Sequence, residues 1–103
     1  MKYSSSLIIF SGPRCGFSKT LLPSGNVLLA GGQIGTGGYS MNVDDMDIYI
    51  PEKDIFIRKK LRTNRYSHEA VLLKDGRVLL IGGEIEDNSF DQALSSAEIF
   101  KEK

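Results

Sequence analysis

Few side chains in this sequence have the chemistry of a catalytic or metal site. His68 is the single histidine among the 103 residues, so neither a histidine pair nor a histidine metal cluster can form within one chain. His68 alone is open to two interpretations, a ligand or general base, or a ring bonded to nearby backbone. Cys15 is the single cysteine, which excludes an internal disulfide and a multi-cysteine zinc site. With no histidine beside it in sequence, we interpret Cys15 as a small hydrophobic residue rather than a nucleophile.

Two further segments suggest ligand binding but lack part of the required pattern. Asp44, Asp45 and Asp47 supply the oxygen ligands that hard cations prefer, without the spacing of a calcium loop. The glycine-rich segment 31–38 has neither the lysine of a phosphate-binding loop nor a helix after it. We therefore expect no catalytic residues, no metal and no cofactor.

Composition and charge exclude several classes of function. Lys and Arg together number 13, as do Asp and Glu, and the resulting net charge of zero argues against a nucleic-acid partner. A hydrophobic content of 41% is typical of a globular chain, and the length allows one domain. The apolar run 7–10 is too short for a secretory signal or a membrane span. We expect no membrane partner, and a cytoplasmic location by default.

An internal repeat organises the chain. Residues 20–34 align with residues 71–85 without a gap, 51 residues apart, and nine of these 15 positions are identical. Arg14 and Arg65 recur at the same spacing, which indicates either a contact between repeats or a fork for an acidic partner. We therefore divide the chain into repeat 1 (14–64), repeat 2 (65–103) and an N-terminal segment (1–13).

Short apolar runs separated by glycines predict strands rather than helices in both copies. The predicted turns contain Gly25 and Gly76. Residues 33–45 and 84–96 are predicted to be loops. The predicted strands are 18–22, 27–30, 46–50 and 54–58 in repeat 1, and 69–73, 78–81 and 97–101 in repeat 2, which lacks its last strand.

These residues resemble the kelch repeat family. The resemblance rests on Arg-Tyr-Ser-His at 65–68, on Leu-Leu-Lys-Asp-Gly-Arg-Val-Leu-Leu-Ile-Gly-Gly at 72–83 and on Ala-Glu-Ile-Phe at 97–100. Repeat 1 departs from the pattern with Phe17 in place of the histidine, and Phe56 stands where the family usually has tryptophan. The resemblance implies structural roles for Arg14, Gly25, Gly31, Gly32, Tyr49, Arg65, His68, Gly76, Gly82, Gly83 and Phe100.

The resemblance also implies an all-β fold of two four-stranded antiparallel β-propeller blades. Propellers normally have 4–8 blades, so two are a partial propeller or require further copies of the chain to complete one. Segment 4–10 is then a candidate outer strand beside 97–101, within the chain or across a homo-oligomer. The alternative is that the sequence is a piece of a longer propeller.

The expected function is non-catalytic binding of a protein partner through loops at the blade rim. Tyr39, Met41, Phe90 and Gln92 are the candidate contact residues, because aromatic and methionine side chains are enriched at interfaces. Tyr39 and Phe90 recur 51 residues apart, so the alternative is that they pack on their own blades. A second hypothesis is a fragment of a galactose-oxidase-like or sialic-acid-epimerase-like enzyme, or of a glycan-binding protein, without a complete active site.

Overall fold

The regular structure of the chain is β-sheet. The structure is a computed structural model, and it describes residues 14–36, 39–87 and 90–102. The predicted strand at 4–10 lies outside these residues. Within them there is no helix, and so none that is long and apolar enough to cross a membrane. The strands are β1 (Arg14–Cys15), β2 (Ser18–Leu21), β3 (Val27–Ala30), β4 (Gln33–Thr36), β5 (Tyr39–Asn42), β6 (Asp45–Ile50), β7 (Ile55–Lys60), β8 (Glu69–Leu72), β9 (Val78–Ile81), β10 (Glu84–Asp87), β11 (Phe90–Ala93) and β12 (Ala97–Phe100).

Two antiparallel sheets carry the internal repeat. Sheet 1 has four strands in the order β2-β3-β6-β7, and sheet 2 has three in the order β8-β9-β12. Their registers correspond at a spacing of 51 residues, as in Leu28↔Ile48 and Leu79↔Ile99. The turns correspond too, since Gly25 N donates to Leu22 O and Gly76 N donates to Leu73 O. The strand predictions for both repeats are confirmed to within a few residues at each end.

The segments predicted to be loops contain β-hairpins instead. In repeat 1, β4 and β5 pair in the register Gln33↔Asn42 to Thr36↔Tyr39, and β1 adds to the outer side of β4. In repeat 2, β10 pairs with β11 from Glu84↔Ala93 to Asp87↔Phe90. In repeat 1 the glycines at 35, 37 and 38 hide this pairing, because glycine is depleted in strands, although residues 39–42 alternate between apolar and polar types.

The hydrophobic core lies between the two sheets. Side chains alternate along each strand, so every sheet has two faces. We call face A the side that carries Leu28 in sheet 1 and Leu79 in sheet 2, and face B the side that carries Leu29 and Leu80. Face A of sheet 1 packs on face B of sheet 2. The buried core residues are Leu22, Leu28, Ala30, Met46, Ile48, Leu61, Val78, Leu80 and Phe100.

Candidate functional site

The two hairpins form one composite surface. Each hairpin follows the second strand of its sheet, after Gly31-Gly32 or Gly82-Gly83, so both leave their sheets at the same repeat position. Strand β5 of the first hairpin contacts β10 of the second. The structure thus brings residues 33–42 and 84–93 side by side, although 51 residues separate equivalent positions in sequence.

The four candidate contact residues belong to these hairpins. Tyr39 and Met41 are in β5, opposite Thr36 and Ile34. Phe90 and Gln92 are in β11, which pairs with β10. Gln92 is exposed. The first pair therefore lies on the strand that meets the second hairpin, and the second pair lies one strand further along the same surface.

Before the first hairpin, Gly31 and Gly32 lie against the backbone of Arg65. We call this contact between the repeats the junction. Gly31 has a φ of +71°, and a Cβ there would overlap the carbonyl oxygen of Arg65. Gly32 N donates to that same carbonyl at 2.9 Å. The contact of Gly32 recurs in repeat 2: a Cβ on Gly32 would lie 2.9 Å from Cys15 O, and a Cβ on its counterpart Gly83 would lie 2.7 Å from Tyr66 O. Only glycine combines a positive φ with so close an approach of two backbones, which explains the recurring double glycine.

Arg65 holds the junction from within. Its side chain is 1% exposed, and Nη1 donates to Gly82 O at 2.8 Å and to Ser96 O at 3.0 Å. Nη2 donates to Ser96 Oγ at 3.1 Å and lies 3.5 Å from Glu98 Oε1. Because the Arg65 carbonyl accepts from Gly32, this residue joins sheet 1 to sheet 2. A guanidinium engaged in this way has no donors directed to an outside partner.

The carboxylate of Glu98 completes the junction and was not among the predicted site residues. Besides its contact with Arg65, it accepts hydrogen bonds from the backbone amides of Arg62 and Thr63 at 3.0 and 3.3 Å. Its counterpart in repeat 1 is Asp47, which is fully buried. An arginine and an acid thus recur together, at 14 and 47 and at 65 and 98, and that joint recurrence was the available sequence signal.

The single histidine bridges the two repeats. His68 Nε2 lies 2.8 Å from Ser18 Oγ, and the ring is half-buried beside Gly31. Burial and the nearby charge of Arg65 hold the pKa of His68 below its usual value, so the ring is neutral near pH 7. Sequence reasoning missed this serine because it lies 50 residues away.

A serine and a neutral histidine are the first two members of a hydrolytic triad, but here the third is missing. No carboxylate among the described residues accepts a hydrogen bond from Nδ1 of His68, which is the group that would orient the ring. The contact instead fastens the start of β2 to the segment that leads into β8.

The aspartates that suggested a cation site are engaged with neighbouring cations. Arg58 Nε donates to Asp47 at 2.9 Å. Lys60 Nζ lies 3.1 Å from Asp44 and 3.0 Å from Asp45. These contacts raise the pKa of both Arg58 and Lys60. Among the residues that the structure describes, no group of three or more acidic, histidine or cysteine side chains is arranged to hold a metal ion.

Three further residues with predicted structural roles are Phe100, Tyr49 and Arg14. Phe100 is 5% exposed and belongs to the core, whereas its counterpart Tyr49 is half-buried and donates from its hydroxyl to Asp54 at 2.7 Å. That bond raises the pKa of Tyr49. The Tyr49 ring also lies 4.9 Å from the ring of Phe56. Arg14 is in β1, where its backbone pairs with Ile34.

An open cleft lies between the two repeat turns. It is lined by Pro23 and Ser24 of the first turn, by residues 75–77 of the second, and by Lys101 and Glu102. Glu102 accepts hydrogen bonds from Ser24 Oγ at 2.9 Å and Asn26 Nδ2 at 2.7 Å. Arg77 donates to Asp75 at 2.8 Å. These pairings join the turns to the end of repeat 2.

Comparison with known proteins adds no assignment. No protein-family model matches the chain, and no curated protein is significantly similar to it. The internal repeat, the paired hairpins and the junction beneath them are therefore the observations on which a function can be based.

Proposed function

We propose that the chain is a non-catalytic kelch-type module that binds a protein partner through its two hairpins. In this proposal sheet 1 is a complete β-propeller blade and sheet 2 is a blade without its fourth strand. Three features support the proposal. The antiparallel strands of each sheet lie side by side in the order in which they occur along the chain. The two sheets pack face to face, and their first strands, β2 and β8, contact each other. Propellers are built from radially repeated sheets of this kind.

The contact between β5 and β10 is the observation that carries the binding role. It makes a surface from corresponding segments of both repeats, and insertions on one side of a repeat unit are often where binding occurs. The core residues described between the sheets all come from segments outside the two hairpins. Tyr39, Met41 and Phe90 supply residue types that are enriched at protein interfaces.

The absence of catalysis is part of the proposal. The Ser18–His68 pair lacks an orienting carboxylate among the described residues, and the Asp44–Asp47 carboxylates are occupied by Arg58 and Lys60. The alternative of an enzyme fragment or a glycan-binding protein makes a different prediction: saturable binding of simple sugars, or copper-dependent oxidation of them. Either result with the purified chain would replace the proposed function.

Site-specific photo-crosslinking tests the proposed surface. A photoreactive amino acid replaces exposed Gln92 in the hairpin surface, and in a matched control it replaces exposed Lys53 in the turn after β6. We expect a discrete crosslinked protein from position 92 in the native cell extract and none from position 53. Identical products from both positions, or none from position 92, would contradict the proposal.

A competition experiment then separates binding from packing. Unlabelled wild-type chain should abolish the crosslink, whereas the double variant Tyr39→Ala/Phe90→Ala should compete at least about tenfold less well, as expected when two aromatic anchors are lost. Thermal unfolding of the double variant provides the control. A large fall in its melting temperature would show that both side chains pack on their own sheets, and would remove them from the binding site.

A further inference from the structure

The interface inside the chain uses one face of each sheet and leaves the other two faces outside it. Face A of sheet 1 is covered by face B of sheet 2. Face A of sheet 2 has no described strand packed over it, and three of its apolar side chains are well exposed: Val71 at 40%, Ile81 at 40% and Ile99 at 51%. The contrast between equivalent positions is large, because Ala30 and Ile48 in sheet 1 are 0% and 4% exposed.

The exposed side chains form a continuous patch across all three strands of sheet 2. Leu79 in the middle strand pairs with Val71 on one side and with Ile99 on the other. Ile81 lies two residues further along the same strand. Isolated exposed apolar residues are ordinary, but a contiguous apolar patch on a soluble-protein surface marks a contact site.

One cross-strand pair in the patch combines a large and a small side chain, as does the equivalent pair on the buried face A of sheet 1. In sheet 1, Ala30 is opposite Met46. At the same place in sheet 2, Ile81 is opposite Ala97. Ile81 is therefore larger than its counterpart Ala30, and Ala97 is smaller than its counterpart Met46. Paired changes of this kind keep a packing surface usable, whereas a solvent-facing surface has no need of them.

The matching half of the interface is present on sheet 1. Face B of sheet 2 covers the core with Val78, Leu80 and Phe100, and it carries Leu72, which is 43% exposed, on the edge strand β8. The corresponding residues on face B of sheet 1 are Leu21, Val27, Leu29 and Tyr49. All four pairs preserve apolar or aromatic character. On this face Leu29 is 9% exposed and its cross-strand neighbour Asp47 is fully buried, whereas Leu21 is 67% exposed.

Charge provides an independent sign of complementarity. On face A, Ser18 of sheet 1 corresponds to Glu69 of sheet 2. On face B, Ala70 of sheet 2 corresponds to Lys19 of sheet 1. In the contact within the chain, the residues at these positions are Ser18 on β2 and Ala70 on β8. Both are uncharged, and the two strands contact each other. On the two outer faces the same positions carry opposite charges, which attract when the faces meet.

We propose that face A of sheet 2 binds face B of sheet 1 in a second copy of this chain, head to tail. The contact repeats between chains the packing that already joins the two sheets within one chain. Because the two partners use different faces, each bound copy still has one free face of each kind. Such heterologous contacts produce a closed ring or an open filament rather than a simple two-fold dimer.

Solution mass measurements on the full chain, over a range of concentrations, test this contact. We expect oligomers for the wild type. Ile99→Arg and Val27→Arg should each raise the dissociation constant by at least about tenfold, because their counterparts Ile48 and Val78 are buried in the contact within the chain. Ile55→Arg is the matched control, because Ile55 is 44% exposed on β7 and outside both faces of the proposed contact. Circular dichroism confirms folding of each variant.

Mixing the variants decides the geometry. Ile99→Arg blocks face A of sheet 2 and Val27→Arg blocks face B of sheet 1, so an equimolar mixture retains one intact pair of faces. We expect the mixture to form 1:1 dimers that grow no further. A wild type that is monomeric at every concentration would overturn the proposal. So would a mixture that stays monomeric, or a Val27→Arg variant that associates as tightly as the wild type, because the latter indicates a symmetric contact between two copies of face A of sheet 2.

Discussion

Ser18 and His68 are joined across the two repeats by a contact of 2.8 Å between Oγ and Nε2. The ring stands at the junction where Gly31 approaches Arg65. In repeat 1 the equivalent position is Phe17, which has no titratable group. This asymmetry provides a built-in comparison for the role of the histidine.

Stability should depend on the protonation of His68. Burial and the charge of Arg65 lower its pKa in the folded chain, so the unfolded chain takes up the proton first as the pH falls. Below about pH 6.5 the unfolded chain binds a proton at His68 that the folded chain does not yet bind. The free energy of unfolding therefore falls from about pH 6.5 downwards, until the pH has passed the folded pKa. We expect the free energy of unfolding, measured with urea from pH 8 to 5, to fall more steeply for wild type than for His68→Phe. Parallel curves would contradict the assignment.

Loss of the Arg65 side chain should be among the most damaging changes in the chain. Arg65→Met keeps much of the buried stem but removes the donor to Gly82 O, one of the two donors to Ser96 O and the cation beside Glu98. Breaking a buried pair in this way costs about 3 kcal/mol or more. Chemical denaturation measures the loss. Arg62→Met, at an exposed arginine three residues earlier, is the control and should change stability by about 0.5 kcal/mol at most.

Alanine at Gly31 should cost more than alanine at Gly25, although both glycines have positive φ angles. Gly25 has a φ of +93° and open space around it, so only backbone strain of about 1–2 kcal/mol is expected. Gly31→Ala adds an overlap of Cβ with the backbone of Arg65, and we expect a loss above about 3 kcal/mol. Equal losses in denaturant unfolding would show that the junction relaxes around the new methyl group.

Leu28 and Leu79 occupy the same repeat position in different surroundings, and their alanine variants should differ. Leu28 is fully buried between the sheets, so Leu28→Ala should cost about 2–5 kcal/mol at any protein concentration. Leu79 is only partly buried, and Leu79→Ala should cost about 1 kcal/mol in dilute solution. If chains associate through face A of sheet 2, that cost grows with concentration, because association stabilises the folded state. A cost independent of concentration would argue against the contact.

The repeat and its strands could be predicted from the sequence because they depend on local patterns. Apolar runs such as 27–30 and 78–81 form buried strands in either copy, and the glycines at 25 and 76 permit the turns between them. The hairpin β4–β5 escaped prediction because glycines dominate residues 35–38, although residues 39–42 alternate between apolar and polar types. The recurrence of Arg65 at a fixed spacing from Arg14 indicated a contact between repeats, but not which atoms it reaches.

The sequence by itself determined the repeat length, the strands of each copy and the positions where only glycine fits. The tertiary structure decided which faces meet, and therefore which of two equivalent leucines is in the core and which is outside. It also brought Ser18 to His68 and β5 to β10, pairings across about 50 residues that local preferences do not encode. The physical reason is that repeated sequences offer the same faces twice, and only packing distinguishes a covered face from one that still needs a partner.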